Sequence, residues 1–320
     1  MQGDGFRPAP YLKGKHLETI VPSLWPAPAV EGPEEARLVQ VSPDAAVRVL
    51  VSRPARDVRG TLLLVHGMGG SAESGYMRRS ARMAVGHGWI AVRMNLRNCG
   101  GTEALSRTLY NAGQSRDAGS VLEYLDSERF PRPFAAAGFS LGGNLVLRYA
   151  GATGAEALAD AVVGINPPVD LDLCSTALER LENALYRYHF TRMLCREIRA
   201  VRAVRPVPGP DLSFWRIRTI RRFDGFFTAP DAGYESAEAY YADASAGPRL
   251  HAVRIPAFIL SAANDPFVPV EMFDPFRARR PPRMRFYHPE RGGHVGYWQA
   301  GEPRFWAGQA ILEFLDEALG

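Results

Sequence analysis

A serine at the boundary between two kinds of sequence is the first candidate for chemistry. The stretch AAAGFSLGGNLVLRYA (135–150) is small and apolar up to Ser140, as in a buried strand, and becomes amphipathic after two glycines. Residues 138–142 thus read G-x-S-x-G at a predicted strand-to-helix junction, which is the setting of a nucleophile elbow. Such a strained turn would expose Ser140 Oγ near the positive end of a helix dipole. The alternative is a glycine-rich turn with an incidental serine.

A serine hydroxyl is a good nucleophile only when a base takes its proton and an acid holds that base. With a nucleophile elbow, the expected chain order is serine, acid, histidine, with the last two on loops after later strands. Asp265 follows IPAFILSAAN, and His294 lies in ERGGHVGY after RMRFYHP. We therefore predict Asp265 as the acid and His294 as the base, with Asp170 and Asp172 as alternative acids.

The other histidines are weaker candidates for the base. His66 ends an apolar run and is predicted to orient the loop that follows it, whereas His288 lies closer to the last predicted strand and is expected to be structural. Four more lie outside the late loop that should supply the base: His16, His87, His189 and His251.

The glycine-rich run HGMGGS (66–71) addresses the third requirement, which is stabilisation of a negatively charged oxygen. The backbone N–H groups of Met68 and Leu141 are predicted to form this oxyanion hole. A phosphate-binding loop is the alternative, although the run lacks the G-x-x-x-x-G-K-[ST] spacing. Histidines and carboxylates show no ligand spacing, so we predict neither a metal site nor a cofactor.

These residues need a scaffold whose strands end near one another. Alternating runs at 36–42 and 46–52 predict an antiparallel pair, and six apolar runs then alternate with helical segments. This pattern predicts a doubly wound, mostly parallel α/β sheet with helices on both faces. The six predicted strands lie at 60–66, 89–95, 134–140, 161–166, 255–262 and 283–289, and helices lie near 76–86, 114–127, 142–151 and 303–319.

The chain divides into an arm, a core and an insertion. Residues 1–35 are rich in Pro and Gly without a period and predict an irregular N-terminal arm. Residues 36–168 and 251–320 form the predicted α/β core. Residues 169–250 contain no convincing core strand but have apolar residues at helical spacing, which predicts a helical lid insertion. Those apolar residues include Leu178, Leu181, Leu185, Tyr188 and Met193.

Composition limits the remaining function classes. The chain has 320 residues, of which 46% are hydrophobic, and a net charge of +4 without a long block of like charge, which argues against nucleic-acid binding. No run approaches 18 apolar residues, and the start MQGDGFRPAP does not resemble a secretory signal, so we expect a soluble cytoplasmic protein. Three widely spaced cysteines do not predict a disulfide framework. The oligomeric state stays open.

The insertion carries aromatic and basic residues that leave two pairs of interpretations open. The aromatics either line a pocket for an acyl or other hydrophobic group or pack the lid against the core: Tyr186, Tyr188, Phe190, Phe214, Trp215, Phe226 and Phe227. The arginines either form a solvated face or make weak contact with an anionic lipid surface: Arg180, Arg187, Arg192, Arg196, Arg199 and Arg202.

The motifs together resemble the YheT-type branch of the α/β-hydrolase superfamily, which includes bacterial predicted hydrolases, medium-chain ester-forming acyltransferases and phospholipases. The similar segments run nearly end to end and include KGKHLETI, HGMGGSAESGYMRR, GFSLGGN, FTAPDAGY and GGHVGYW. The resemblance implies a triad of Ser140, Asp265 and His294. The sequence departs from the family pattern at four positions: Glu18 for Gln, Asn98 for Gly, Asn111 for His and Asn264 for Asp.

These observations predict a serine hydrolase of carboxylic esters that works through an acyl-enzyme. Its expected partner is a small-molecule ester with a hydrophobic moiety, as in lipid metabolism. One alternative is an alcohol acyltransferase that uses the same acyl-enzyme. The other is a non-catalytic ligand-binding protein, which would need no nucleophile, acid, base and oxyanion loop in register.

Overall fold

The computed structural model describes residues 5–212 and 216–320. Its centre is an eight-stranded sheet in the order β1-β2-β4-β3-β5-β6-β7-β8. The pairs β1–β2 and β2–β4 are antiparallel, and all other neighbours are parallel, which confirms the predicted α/β sheet. The strands are β1 (Glu34–Ser42), β2 (Ala45–Ser52), β3 (Gly60–Val65), β4 (Trp89–Met94), β5 (Phe134–Phe139), β6 (Ala161–Ile165), β7 (Ala257–Leu260) and β8 (Met284–Tyr287).

Helices cover both faces of the sheet. The α-helices of the described residues are α1 (Lys15–Leu24), α2 (Gly75–Gly86), α3 (Ser115–Ser127), α4 (Leu141–Thr153), α5 (Leu171–Glu179), α6 (Ala184–Arg202), α7 (Ile220–Phe223), α8 (Ala229–Asp231), α9 (Ala237–Ala244), α10 (Asp274–Arg277) and α11 (Trp306–Leu319). Helices α3 and α4 pack together on one face, and α2 and α11 pack together on the other.

The central strands β3, β4, β5 and β6 are buried at every position and are almost entirely apolar, with Thr61 and Arg93 as the polar exceptions. In β3, Leu63 and Val65 belong to the apolar cluster that contains Val146 of α4, whereas Leu62 and Leu64 belong to the cluster on the other face. Successive strand residues point to opposite faces, so a strand covered twice needs no polar alternation. This is why continuous apolar runs identified these strands.

Helix α1 corrects the expectation of an irregular arm over residues 1–35. The helix spans ten residues and buries Glu18, Thr19 and Pro22. A ten-residue helix is marginal in isolation, so contacts with the rest of the chain must supply its stability. Its buried face includes polar groups, which hid the helical period in the sequence.

The segment between β6 and β7 folds into α5 to α9, with a π-helical turn at Asp224–Thr228. Within residues 169–212 and 216–250 no strand is formed. Among the described residues, no helix combines the length and the apolar character that a membrane span requires.

Candidate active site

Ser140 lies between β5 and α4 in strained backbone geometry. Its φ of 52° and ψ of −120° lie outside the regions that L-residues favour, and its N–H donates to the Ile165 carbonyl oxygen at 2.8 Å. A Cβ at Gly138 would lie 2.0 Å from the Gly142 carbonyl oxygen, and one at Gly142 would lie 2.2 Å from the Val65 carbonyl oxygen. Gly138 is therefore required by the close approach of backbone within the turn, and Gly142 by the close approach of the turn to β3.

Asp265 and His294 are joined by a hydrogen bond of 2.7 Å between Oδ2 and Nδ1. Both residues are buried. The other carboxylate oxygen of Asp265 accepts from the N–H groups of Phe267 at 3.0 Å and Val268 at 2.9 Å. The loop after β7 thus fixes the orientation of the carboxylate toward the imidazole.

The two alternative acids have other roles. Asp170 Oδ1 accepts from the Leu173 N–H at 2.9 Å and so caps the first turn of α5. Asp172 pairs with Arg221 at 2.7 Å. The structure therefore favours Asp265 over both as the partner of the histidine.

Asn166 is a site residue that sequence reasoning missed. It follows β6 with a φ of 46°, and its Nδ2 donates to Asp265 Oδ2 at 2.6 Å and to the Gly293 carbonyl oxygen at 3.3 Å. The amide thus links the acid to the loop of His294. Its one available signal was a polar residue at the carboxyl end of a predicted strand, where the site residues of parallel sheets gather.

Helix α1 also contacts the loop of His294, through the side chain of Glu18. The Glu18 carboxylate accepts from Asn264 Nδ2 at 2.6 Å, from Arg291 Nε at 2.7 Å and from the Gly292 N–H at 3.1 Å. Glu18 and Asn264 are two of the departures from the family pattern, and they contact each other. The Glu18 carboxylate thus binds three donors that lie on the loops after β7 and β8.

The backbone of His294 is also anchored to α1. Its N–H donates to Thr19 Oγ1 at 2.9 Å, and the same hydroxyl donates to the Lys15 carbonyl oxygen at 2.7 Å within the helix. A segment near the N-terminus therefore positions a residue 275 positions later in the chain.

The glycine-rich loop after β3 lies against the nucleophile. A Cβ at Gly67 would come within 3.0 Å of Ser140 Cβ. Met68 lines the same cavity as Ser140, and Leu141 is the first residue of α4, whose N–H has no partner within the helix. Both predicted oxyanion residues thus flank the serine.

Two tyrosines fix this loop. The Gly67 N–H donates to Tyr76 Oη at 2.9 Å, and the Gly69 N–H donates to Tyr110 Oη at 3.1 Å. Tyr110 in turn donates to Glu197 Oε2 of α6 at 3.0 Å, and burial raises the pKa of Glu197 to about 7. The insertion is therefore connected to the loop that carries Met68.

His66 and His288 are placed as structural residues. The Leu96 N–H donates to His66 Nε2 at 3.0 Å, which leaves Nδ1 to donate to the Gly67 carbonyl oxygen at 2.7 Å. Burial lowers the pKa of His66 to about 4, so the ring is neutral. Burial also lowers the pKa of His288 to about 4, and its Nδ1 contacts the Ser261 carbonyl oxygen at 3.0 Å.

Ser140 and His294 line one cavity of about 490 Å³, together with Met68 and Leu141. Most of its other walls are apolar and come from α1, α5, α6 and α7. Asp224 is a polar residue of the lining. Its Oδ2 accepts from Tyr241 Oη at 2.6 Å, and burial raises its pKa to about 6.

The aromatic residues of the insertion divide between the two expectations for them. Tyr186 and Phe190 line the cavity, and Phe227 is buried in the core. Tyr188 and Phe226 are exposed. Phe214 and Trp215 lie outside the described residues.

Several known proteins are similar to this chain in sequence or in fold. A family model described as the alpha/beta hydrolase fold matches residues 60–301. The Escherichia coli (strain K12) protein named "Putative esterase YheT" is 30% identical over 307 residues, which cover 94% of this chain and 89% of that protein. Human phospholipase ABHD3 is 30% identical over 248 residues, which cover 77% of this chain but only 60% of that protein.

A solved structure extends the likeness of the fold. The esterase Pf2001 of Pyrococcus furiosus superposes with a TM-score of 0.63 at 16% identity, over 92% of this chain and 97% of that one. At that identity the likeness concerns the fold alone. Since the family model spans most of the chain and a relative of similar length is 30% identical, the chain belongs to the alpha/beta hydrolase family.

Proposed function

We propose that this protein hydrolyses carboxylic esters through a covalent acyl-enzyme on Ser140. The observation that carries the proposal is the placement of Ser140 and His294 on one cavity, with His294 Nδ1 held 2.7 Å from Asp265 Oδ2. The relatives named as esterase and phospholipase support ester hydrolysis.

In this mechanism, Ser140 Oγ attacks the ester carbonyl while His294 Nε2 takes its proton. The Asp265 carboxylate accepts a hydrogen bond from His294 Nδ1–H, which keeps Nε2 free to act as the base, and its negative charge stabilises the imidazolium that forms. The N–H groups of Met68 and Leu141 donate to the developing oxyanion. His294 then protonates the leaving alcohol, and water, deprotonated by the same histidine, releases the acid.

The apolar walls of the cavity favour a substrate with a hydrophobic acyl or alcohol moiety. Tyr186 and Phe190 of α6, with Phe267 beside His294, form part of that wall. Apolar area removed from water contributes roughly 25 cal/mol per Å², so each methylene that enters should improve kcat/KM until the cavity is filled.

A series of p-nitrophenyl esters of graded chain length tests the proposal. We expect wild-type activity that rises with chain length and then falls, and a loss of about 10⁴-fold or more in kcat for Ser140→Ala. Ser71→Ala, on the same glycine-rich loop but outside the cavity lining, is the matched control. Undiminished hydrolysis by Ser140→Ala would overturn the assignment.

Product analysis separates the two remaining alternatives. Ester formation from added ethanol in preference to hydrolysis would identify an acyltransferase. Failure of a fluorophosphonate probe to label Ser140, together with no turnover of any ester, would indicate a ligand-binding protein.

A further inference from the structure

Five apolar side chains are exposed around one opening of the cavity. Leu24 of α1 and Leu185 of α6 are 77% and 67% exposed, yet both also line the cavity, so they lie at its mouth. Three more exposed residues lie on α1, on α6 and on the turn Leu181–Asn183 that precedes α6. We call the set the apolar patch: Leu17, Leu24, Leu181, Leu185 and Tyr188.

Two contacts join the start of α1 to residues 182–186. His16 Nδ1 lies 3.1 Å from Tyr186 Oη, and Lys15 Nζ lies 3.0 Å from Glu182 Oε2. Residues next to Leu17 therefore contact residues next to Leu181 and Leu185. The ion pair also balances the charge of Glu182, which follows Leu181 in sequence, and Glu18, which follows Leu17, is paired with Arg291.

A row of three arginines continues the same face of α6. Arg192, Arg196 and Arg199 follow Leu185 and Tyr188 at helical spacing and are all exposed. Arg192 donates to Tyr188 Oη at 2.7 Å, which ties the row to the patch. Within residues 5–212 and 216–320, none of the three forms an ion pair with a carboxylate. Their charge is thus available to a partner.

We propose that the apolar patch and this arginine row dock the protein on an anionic lipid surface, with the cavity mouth facing the lipid. Exposed leucines beside unpaired cations match a surface that has an apolar interior and anionic headgroups. The role of docking rests on the proposed function, because a hydrophobic ester would enter the cavity directly from the lipid and be hydrolysed there. Docking itself needs no catalysis.

Vesicle co-sedimentation tests the docking in the Ser140→Ala background, which prevents lipid hydrolysis. We expect binding to vesicles of equal parts phosphatidylglycerol and phosphatidylcholine, and weaker binding to phosphatidylcholine alone or at raised ionic strength. If the wild-type protein bound these vesicles but hydrolysed no ester, the proposed function would fail and the docking would stand.

Variants outside the cavity lining locate the surface. The double variant Leu17→Ser/Leu181→Ser should weaken binding at least about tenfold, since two leucines no longer enter the lipid. Leu38→Ser is the matched control, because Leu38 is 59% exposed on β1. A circular dichroism spectrum and Tm unchanged from wild type would show that the double variant is folded.

The arginine row is tested separately. In the Ser140→Ala background, Arg192→Ser/Arg196→Ser should reduce binding to the anionic vesicles about fivefold per arginine. In the protein that retains Ser140, the same double variant should leave hydrolysis of soluble p-nitrophenyl acetate unchanged. Arg279→Ser/Arg280→Ser, at exposed arginines after α10, is the control.

Three outcomes would overturn the inference. The first is no binding to anionic vesicles. The second is equal loss of binding in the patch variants and their controls. The third is a dimer in sedimentation velocity that Leu17→Ser/Leu181→Ser dissociates, since the patch would then be covered by a second copy.

Discussion

Asp265→Asn should inactivate the protein without unfolding it. The Asp265 carboxylate accepts four hydrogen bonds, two at each oxygen. Asparagine replaces one of these oxygens by an NH₂ group, which donates. That NH₂ group must then lie against groups that are themselves hydrogen-bond donors. Whether the nitrogen takes the Oδ1 or the Oδ2 position decides whether the variant is active.

The two orientations differ in cost. With the nitrogen at the Oδ1 position, the backbone N–H groups of Phe267 and Val268 lose their acceptor, at about 1–3 kcal/mol for each buried group. With the nitrogen at the Oδ2 position, His294 can adopt its other tautomer and accept at Nδ1, so Asn166 Nδ2 is the one donor that loses its acceptor. That tautomer carries its proton on Nε2 and cannot take one from Ser140. The cheaper orientation is therefore inactive, with an expected loss of about 10⁴-fold in kcat.

Steady-state kinetics and ¹⁵N NMR of the histidine ring test this reasoning together. Asp265→Asn should keep its circular dichroism spectrum, lose activity and place the His294 proton on Nε2. Asp170→Asn is the control, since asparagine caps a helix as well as aspartate does and activity should be retained. Activity of Asp265→Asn within about tenfold of wild type, or a proton still on Nδ1, would refute the argument.

Three further predictions concern the supports of the site. Thr19→Val should lower the free energy of unfolding by about 1–3 kcal/mol, because the buried His294 N–H loses its acceptor, whereas Thr19→Ser should restore most of it in urea titrations. Gly138→Ala should sharply reduce the yield of folded, probe-reactive protein, since its Cβ would lie 2.0 Å from a backbone oxygen; Gly86→Ala, with nothing within 4 Å, should leave the Tm equal or higher. Burial raises the pKa of Asp224 from 3.8 to about 6, so its contribution to stability is full below pH about 4 and falls as pH rises to about 6. Asp224→Asn should therefore stabilise the fold relative to wild type more near pH 7 than near pH 4, and an equal effect at both would contradict the raised pKa.

The sheet could be predicted from the sequence because its central strands are buried on both faces. Each of the six apolar runs from 60–66 to 283–289 contains a strand. The elbow was also readable, since the G-x-S-x-G spacing and the close approach of Gly138 to Gly142 both lie within five residues of chain. Local signals suffice where the physical constraint is itself local.

Helix α1 was not predicted because its stabilising contacts are remote. Its buried residues include Glu18 and Thr19, whose partners lie about 250 to 280 residues away, such as Asn264 and Arg291. A polar residue on the buried face breaks the apolar period that identifies a helix. Likewise, nothing near Asn166 in sequence indicated its bond to Asp265.

The sequence by itself determined the sheet, the strained turn at Ser140 and the chain order of the candidate acid and base, because periodicity and glycine spacing act over a few residues. Only the tertiary structure decided that Asp265, and not Asp170, contacts His294, that α1 holds the base loop, and that exposed leucines of α1 and α6 meet at the cavity mouth. Those relations join residues that are distant in the chain, and hydrogen-bond distance between them exists only after the chain has folded.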